Sequence, residues 1–363
     1  MKSIPIGALG ILSILSSNAF SQSFVPLGDL DGGNFSSQSA GISADGATVI
    51  GLSDAGYNHA ITWNSSTGMT DLGTINNASG ESRAHASSHS GDVIVGTDRS
   101  NGRVPFIWTA DNGMSRIALL EGIAFGVSGN GNIVVGQADV GPQTKAFRWS
   151  SDSGVSYLPS LPGGESFSFA RSTSSDGTIS VGQSASDRAP TGEAVIWLGN
   201  SPVALGDLPG GPFNSQAFSI SSDGSTVVGY GTSDLGQEAV IWTEELGLTS
   251  LSTASGPNRD DIAHDVSGDG SIIVGKHNGR ACFWNSNFSL FYIDDYLESV
   301  GLGPVIAEWR LDVATGVSDD GLTITGYGLN SAKDREAWVI TIPSPTSAFL
   351  FVGFLAINRR SRR

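Results

Sequence analysis

The chain has 363 residues, with 19 Lys+Arg against 35 Asp+Glu and a formal net charge of −16. That sign repels phosphate backbones and anionic lipid, and so argues against nucleic acid as a partner. Charged residues make up only 15% of the chain, which excludes a disordered acidic tail, and Cys282, the only cysteine, excludes an intrachain disulfide framework and a thiolate metal cluster.

The N-terminus reads Met1-Lys2, an apolar stretch to about Leu15, then Ser16 to Ser21, with the small residues Ala19 and Ser21 preceding Gln22. That layout predicts a secretory signal peptide over residues 1–21. Pro5, Gly7 and Gly10 interrupt the stretch as a buried helix. Loss of this segment and of the arginine-rich tail leaves 14 basic residues against 35 acidic, or −21.

From residue 22 to 342 one unit recurs seven times, at a period of 40–51 residues. Its first copy is Ile42-Ser43-Ala44-Asp45-Gly46-Ala47-Thr48-Val49-Ile50-Gly51. Turn glycines fall at Gly46, Gly91, Gly131, Gly177, Gly224, Gly270 and Gly321. Closing glycines follow five residues later in every copy, at Gly51, Gly96, Gly136, Gly182, Gly229, Gly275 and Gly326. A serine stands three before each turn glycine, from Ser43 to Ser318.

Asp-Gly between two β-prone runs predicts a tight hairpin, because Gly supplies the positive φ of the turn. Ala40–Ser43 and Thr48–Gly51 should therefore pair. A third strand follows, as in His59-Ala60-Ile61-Thr62-Trp63, with Trp63, Trp108, Trp149, Trp197, Trp242, Trp284 and finally Ile340 at one position. Alternation puts Ile61 and Trp63 on one face and the small Ala60 on the other, as stacked sheets require. A fourth strand, such as Met69–Leu72 or Leu248–Leu251, leads into a glycine-rich crossing like Gly206-Asp207-Leu208-Pro209-Gly210-Gly211. Four short antiparallel strands in each of seven units predict an all-β, seven-bladed β-propeller. The last copy ends at its third strand, Glu336 to Thr341. Phe24-Val25-Pro26-Leu27-Gly28-Asp29-Leu30 has the look of the missing fourth strand and its crossing, so residues near 23–28 are expected to complete the last blade and remove the open edges.

Over residues 24–341 the units resemble the HAF repeats of bacterial extracellular proteins, named for a His-Ala-Phe at the start of the third strand. His survives in His59-Ala60-Ile61 and Phe at Phe106 and Phe147, while Lys145, Glu193, Glu238, Arg280 and Glu336 stand where His would be. The resemblance implies location and fold rather than an activity, and the position calls only for a polar, strand-compatible side chain.

Few residues stand out as site candidates. His85 and His89 have a helical zinc spacing but fall on a predicted strand and loop. No nucleophile elbow is present in the sequence. Acidic loops at Asp29-Leu30-Asp31-Gly32-Gly33, at Arg259-Asp260-Asp261 with Asp265, and at Asp294-Asp295 with Glu298 offer oxygen ligands to Ca²⁺, without the spacing of an EF-hand. They read better as solvated turns in an acidic protein, so no cofactor is expected, with Ca²⁺ as the one these loops would allow. Cys282 reads as a buried, inert thiol. The seventh copy carries an insertion from Asp294 to Val305 and an extra tryptophan, Trp309. Tyr292, Tyr296, Asp294 and Asp295 lie near it, and aromatics beside carboxylates suit sugar recognition. The stretch Ile293–Val300 reads as well as a helical plug that packs Trp309 over the closing blade.

The chain ends in Pro343-Ser344-Pro345, an apolar run from Ala348 to Ile357, and Arg359-Arg360-Ser361-Arg362-Arg363. The run is about half of what a spanning helix needs. Residues 343–363 resemble the PEP-CTERM sorting signal read by an exosortase in Gram-negative-type bacteria, with Ser344 in place of the family's Glu. A plain membrane anchor is the alternative.

These features predict a secreted or cell-surface, non-enzymatic propeller with a binding or structural role in the envelope or extracellular matrix. Its expected partners are the sorting machinery and a polysaccharide or envelope protein, with only transient membrane association through the C-terminal segment. The alternative is a glycan hydrolase or lyase with its site at the propeller channel. The first strands, read as mainly Ala, Ser, Ile and Val, count against it.

Overall fold

The computed structural model describes residues 22–251 and 259–342. They form seven antiparallel sheets arranged as the blades of a β-propeller. Blade 1 comprises Ser37–Ile42, Val49–Asp54, Asn58–Asn64 and Gly68–Asp71. Blades 2 to 6 repeat this order, their first strands being Ser82–Ser87, Gly122–Val127, Ser168–Thr173, Gln216–Ile220 and Ile262–Val266. Blade 7 contains Arg310–Val317, Thr323–Leu329 and Arg335–Thr341, and its fourth strand is Ser23–Pro26 from the other end of the chain. The register runs from Ser23 opposite Thr341 to Pro26 opposite Trp338. The ring is thus closed by its own N-terminal strand, as the sequence predicts. Blade 5 differs from the expected four strands, because Arg259–Asp260 adds in parallel beside Gly236 and Gln237.

The Asp-Gly hairpin forms between the two runs expected to pair. Ser43 and Thr48 close a four-residue loop, with Ser43 N–H donating to Thr48 O at 2.8 Å and Gly46 N–H to Ser43 O at 2.8 Å. The buried Ser43 hydroxyl accepts from Thr48 N–H at 2.9 Å and donates to Asp45 Oδ1 at 2.6 Å. Gly46 has φ +74°, and a Cβ there would also meet Ser318 and Thr323 of the preceding blade. Backbone hydrogen bonds join many of the residues that follow the repeat's serines from blade to blade. Asp319 N–H donates to Ala44 O at 2.8 Å and Gly268 N–H to Asp319 O at 3.1 Å. His89 N–H donates to Gly129 O, and Gly129 N–H to Ser175 O, each at 2.9 Å.

The core is divided among the interfaces between blades. Between blades 1 and 2 lie Ile50, Ala60, Leu72, Ala84, Ile94 and Phe106. Small residues of one blade face large ones of its neighbour, which lets the sheets interdigitate. A second tie is polar. Ala60 N–H donates to Ser82 Oγ at 2.9 Å, Ala146 N–H to Ser168 Oγ at 3.0 Å and Ala194 N–H to Ser215 Oγ at 3.0 Å. The same bond joins Ala337 N–H to Ser37 Oγ at 3.1 Å across the closure. Where the third strand offers Pro105, which has no N–H, the next blade opens on Gly122 instead of Ser.

The position expected to want merely a polar side chain is an anchor. His59 pairs with Asp71 at 2.8 Å, Glu193 with Arg188, Glu238 with Arg259 at 2.6 Å and Arg280 with Asp294 at 2.6 Å, while Glu336 accepts from Gly28 N–H at 3.0 Å. Cys282 is buried, and burial pushes its thiol well above the usual range. The insertion forms a helix, Ile293–Ser299, and a short turn of helix, Gly303–Ile306. Ile293, Leu297 and Ile306 pack with Phe24, Trp338 and Ile340 over the closing blade.

Candidate functional site

Each of the seven first strands breaks its pairing with the second strand at one equivalent place. In blade 2, Ala84 lies opposite Gly96 and Ala86 opposite Val95, so His85 is an extra, unpaired residue. The same irregularity leaves Ala40, Phe125, Arg171, Phe218, His264 and Thr315 unpaired in the other blades. A β-bulge re-aims a side chain that regular alternation would bury between sheets. All seven bulged residues line a central cavity of about 370 Å³.

This overturns the expectation that the first strands bring nothing blade-specific to the channel. The Ala, Ser, Ile and Val residues of those strands lie mostly between blades, and the axis receives two histidines, two phenylalanines and an arginine. The signal is present in the sequence. Three residues before each serine of the repeat is a column that runs Ala40, His85, Phe125, Arg171, Phe218, His264, Thr315. It varies in size and charge while its neighbours stay small.

Five of these residues form a continuous arc across blades 2 to 6. His85 and Phe125 have ring centroids 5.6 Å apart, and Phe218 and His264 are edge to face at 5.4 Å. Between them the Arg171 guanidinium carbon lies 4.9 Å from the Phe125 centroid and 4.7 Å from that of Phe218. Arg171 has no ion pair or hydrogen bond with another described residue. Burial in the protein mass lowers its guanidinium to about 10. Burial, and after it repulsion from the Arg171 cation, pushes His85 and His264 each down to about 3. Both imidazoles are therefore neutral at physiological pH, although water entering the channel reaches part of each ring. Ala40 and Thr315 complete the circle and leave its remaining side open.

The cavity also holds Asp265 and Asp319. Asp265 accepts from Ser219 Oγ at 2.7 Å and from Val317 N–H at 3.0 Å. Burial nevertheless raises its carboxyl from 3.8 to about 6. A carboxyl that binds its proton more tightly when folded weakens the fold as pH rises from about 4 through about 6. Asp265→Asn keeps an acceptor for Val317 N–H and offers a donor to Ser219. It should stabilise the protein at pH 7 by roughly 1–2 kcal/mol and leave stability at pH 4 unchanged. Urea denaturation at the two pH values measures this, and an equal effect at both would refute it.

The residues singled out in the seventh repeat lie elsewhere, on the outer part of blades 6 and 7. Arg280 pairs with Asp294 at 2.6 Å and Asp295 at 2.7 Å, and stacks over Tyr292 at 3.9 Å. Tyr296 meets Phe283 edge-on at 5.6 Å, and Trp309 meets Phe24 at 5.1 Å. Their aromatic faces and carboxylates are thus engaged within the fold. Among the acidic loops, Asp260 pairs with Lys276 at 2.5 Å and Asp261 with His277 at 2.8 Å, while Asp265 faces the channel. Asp29 and Asp31 lie in the crossing before blade 1. His85 Nε2 lies 3.3 Å from Thr97 Oγ1, and His89 Nδ1 lies 3.8 Å from Asp319. No group of three or more His, Cys, Asp or Glu side chains able to hold a metal ion occurs among the described residues. None of the described helices is long and apolar enough to cross a membrane. Segment 1–21 and Pro343, Ser344 and Pro345 lie outside the described residues.

No known family profile matches the chain, and no curated protein matches it in sequence. Its likeness is to solved propellers. An oligogalacturonate lyase in complex with manganese superposes with a TM-score of 0.56 at 11% identity, over 89% of this chain and 96% of that one. The β-propeller domain of the Trilobed protease from Pyrococcus furiosus gives 0.52 at 11% identity, over 84% and 95%. That domain is described as having an open velcro topology, whereas here Ser23–Pro26 closes the ring. TolB from Acinetobacter baumannii gives 0.49 at 12% identity, and this chain covers 63% of that one. At such identities the shared property is the propeller fold.

Proposed function

We propose that this propeller is a non-enzymatic binding protein of the cell surface or extracellular matrix, of the HAF-repeat kind, and that it takes its ligand in the axial channel. The observation that carries the reading is the bulge in every first strand. It gathers His85, Phe125, Arg171, Phe218 and His264 at one place and leaves Arg171 without an ion pair or hydrogen bond to another described residue. A rigid ring presenting an aromatic and cationic arc suits recognition of a polar organic ligand. The surface location rests on segments 1–21 and 343–363 as export and sorting signals, the latter PEP-CTERM-like. Polysaccharide is the partner class such a location favours.

Retention on a panel of immobilised bacterial exopolysaccharides tests the reading, with Ala40→Phe as the control that fills the open side of the channel. Phe already stands at the equivalent place in blades 3 and 5, so the strand should accept it. The purified protein should be retained without cleaving the polymer, and Ala40→Phe should weaken retention at least about ten-fold. Equal retention of the two proteins would remove the channel as the site. A glycan hydrolase or lyase acting at the channel is the second reading. The two imidazoles on either side of Arg171 are the groups such an enzyme would draw on, although burial that lowers each to about 3 makes them weak bases at neutral pH. New chain ends in the same incubation would select it.

A further inference from the structure

We infer that the channel is built for an organic monocarboxylate that also carries hydrogen-bond donors, with its carboxylate on Arg171. The inference rests on the channel being the ligand site and names the chemistry of what enters it.

The first argument is the state of Arg171. Phe125 and Phe218 hold the guanidinium between them. Aromatic faces orient a cation but accept no strong hydrogen bond, so they leave the planar donor fork available. No described carboxylate pairs with it. A fixed fork with open donors is the geometry that a carboxylate satisfies with two parallel hydrogen bonds.

The second argument is the charge of the chamber. Against the one arginine stand two carboxylates, Asp265 and Asp319, lining the same cavity. A phosphate or sulfate dianion would face both with a single cation to hold it. A monocarboxylate balances Arg171 alone, and its own donors suit the acceptors that remain. Asp319 accepts from the Ser222 hydroxyl at 2.8 and 2.9 Å and lies 3.8 Å from His89 Nδ1. Ser87 Oγ, on the lining, is buried and has no partner among the described residues. A buried hydroxyl without a partner is costly unless a ligand or water completes it.

The third argument is space. Ala40 and Thr315 leave one side of the arc open, and about 370 Å³ accommodates a single sugar-sized unit. Two sources share this chemistry: a sugar acid, whose donors are hydroxyls, and an amino acid, whose donor is an ammonium.

Titration calorimetry with D-galacturonate, D-galactose, L-serine and inorganic phosphate tests the inference on the purified protein and on Arg171→Gln, Arg171→Lys and Ala40→Phe. Saturable binding of galacturonate or serine is expected, with galactose and phosphate at least about ten-fold weaker. Whichever carboxylate binds more tightly identifies the donor as hydroxyl or ammonium, and either supports the inference. Arg171→Gln should weaken binding at least about ten-fold, and Arg171→Lys should fall between, because it keeps the charge and loses the fork. A thermal melt establishes that both variants fold. Equal binding of galactose and galacturonate, unchanged binding in folded Arg171→Gln, preference for phosphate, or no binding of either carboxylate would each overturn the inference. If polymer retention falls in Ala40→Phe but not in Arg171→Gln, the carboxylate inference fails while the channel stands. If retention is unchanged in both, the channel reading itself fails.

Discussion

Deleting residues 22–28 should cost more than about 5 kcal/mol of stability and leave a chain that no longer unfolds cooperatively as a monomer. Three losses combine. Phe24 is buried against Trp309 and Trp338, and truncating such a side chain alone costs about 3–5 kcal/mol. Leu27, buried between blades 7 and 1, is lost with it. The strand Arg335–Thr341 then becomes an open edge with unpaired backbone groups, a template for pairing with another chain. Phe24→Ala isolates the first of these losses and should destabilise by about 3–4 kcal/mol while the protein remains a monomer. Urea denaturation and size-exclusion chromatography of the two variants measure the difference. A truncated chain that melts as a monomer at the temperature of the full chain would show that the ring needs no closing strand. The ties Ala337 to Ser37 and Asp319 to Ala44, which remain in the truncated chain, would then be sufficient.

The architecture was legible because it is repeated. Fixed offsets between Ser43, Gly46 and Gly51 recur in seven copies, so a local reading of one hairpin is tested six more times within the same chain. The closure was legible because the last repeat lacks a strand that the N-terminus supplies. The lining of the channel was not, and the reason is the same periodicity. A strand read by strict alternation assigns every second residue to one face. One extra residue per strand resets that alternation, and His85, Phe125, Arg171, Phe218 and His264 leave the interface for the axis. The aromatic and acidic residues of the seventh repeat attracted attention because they depart from the pattern, yet the departure accompanies the closing of the ring. The helix Ile293–Ser299 covers the joint where Phe24 and Trp338 meet. A departure in sequence marks a place where the fold is different, and closure is one such difference.

The closing glycines connect the fold to the channel, and Gly136→Ala should destabilise by at least about 4 kcal/mol. Gly136 has no positive φ, so backbone freedom is not what requires it. A Cβ there would lie 2.0 Å from Ile123 O and 2.8 Å from the Phe147 ring. Ala124, the partner of Gly136 in the first strand, directly precedes the bulged Phe125. Gly154, the first residue of the fourth strand of blade 3, has φ +70° and nothing within 4 Å of a built Cβ. Gly154→Ala should therefore cost only about 1 kcal/mol. Urea denaturation of the pair separates steric contact from backbone strain. If Gly136→Ala folds with near-native stability, the first strand must have shifted away from the second. Phe125 would then move relative to Arg171, and ligand binding in the channel should weaken even though no lining residue has changed. If stability and binding both stay at the wild-type level, the close approach at Gly136 does not hold the bulge in place.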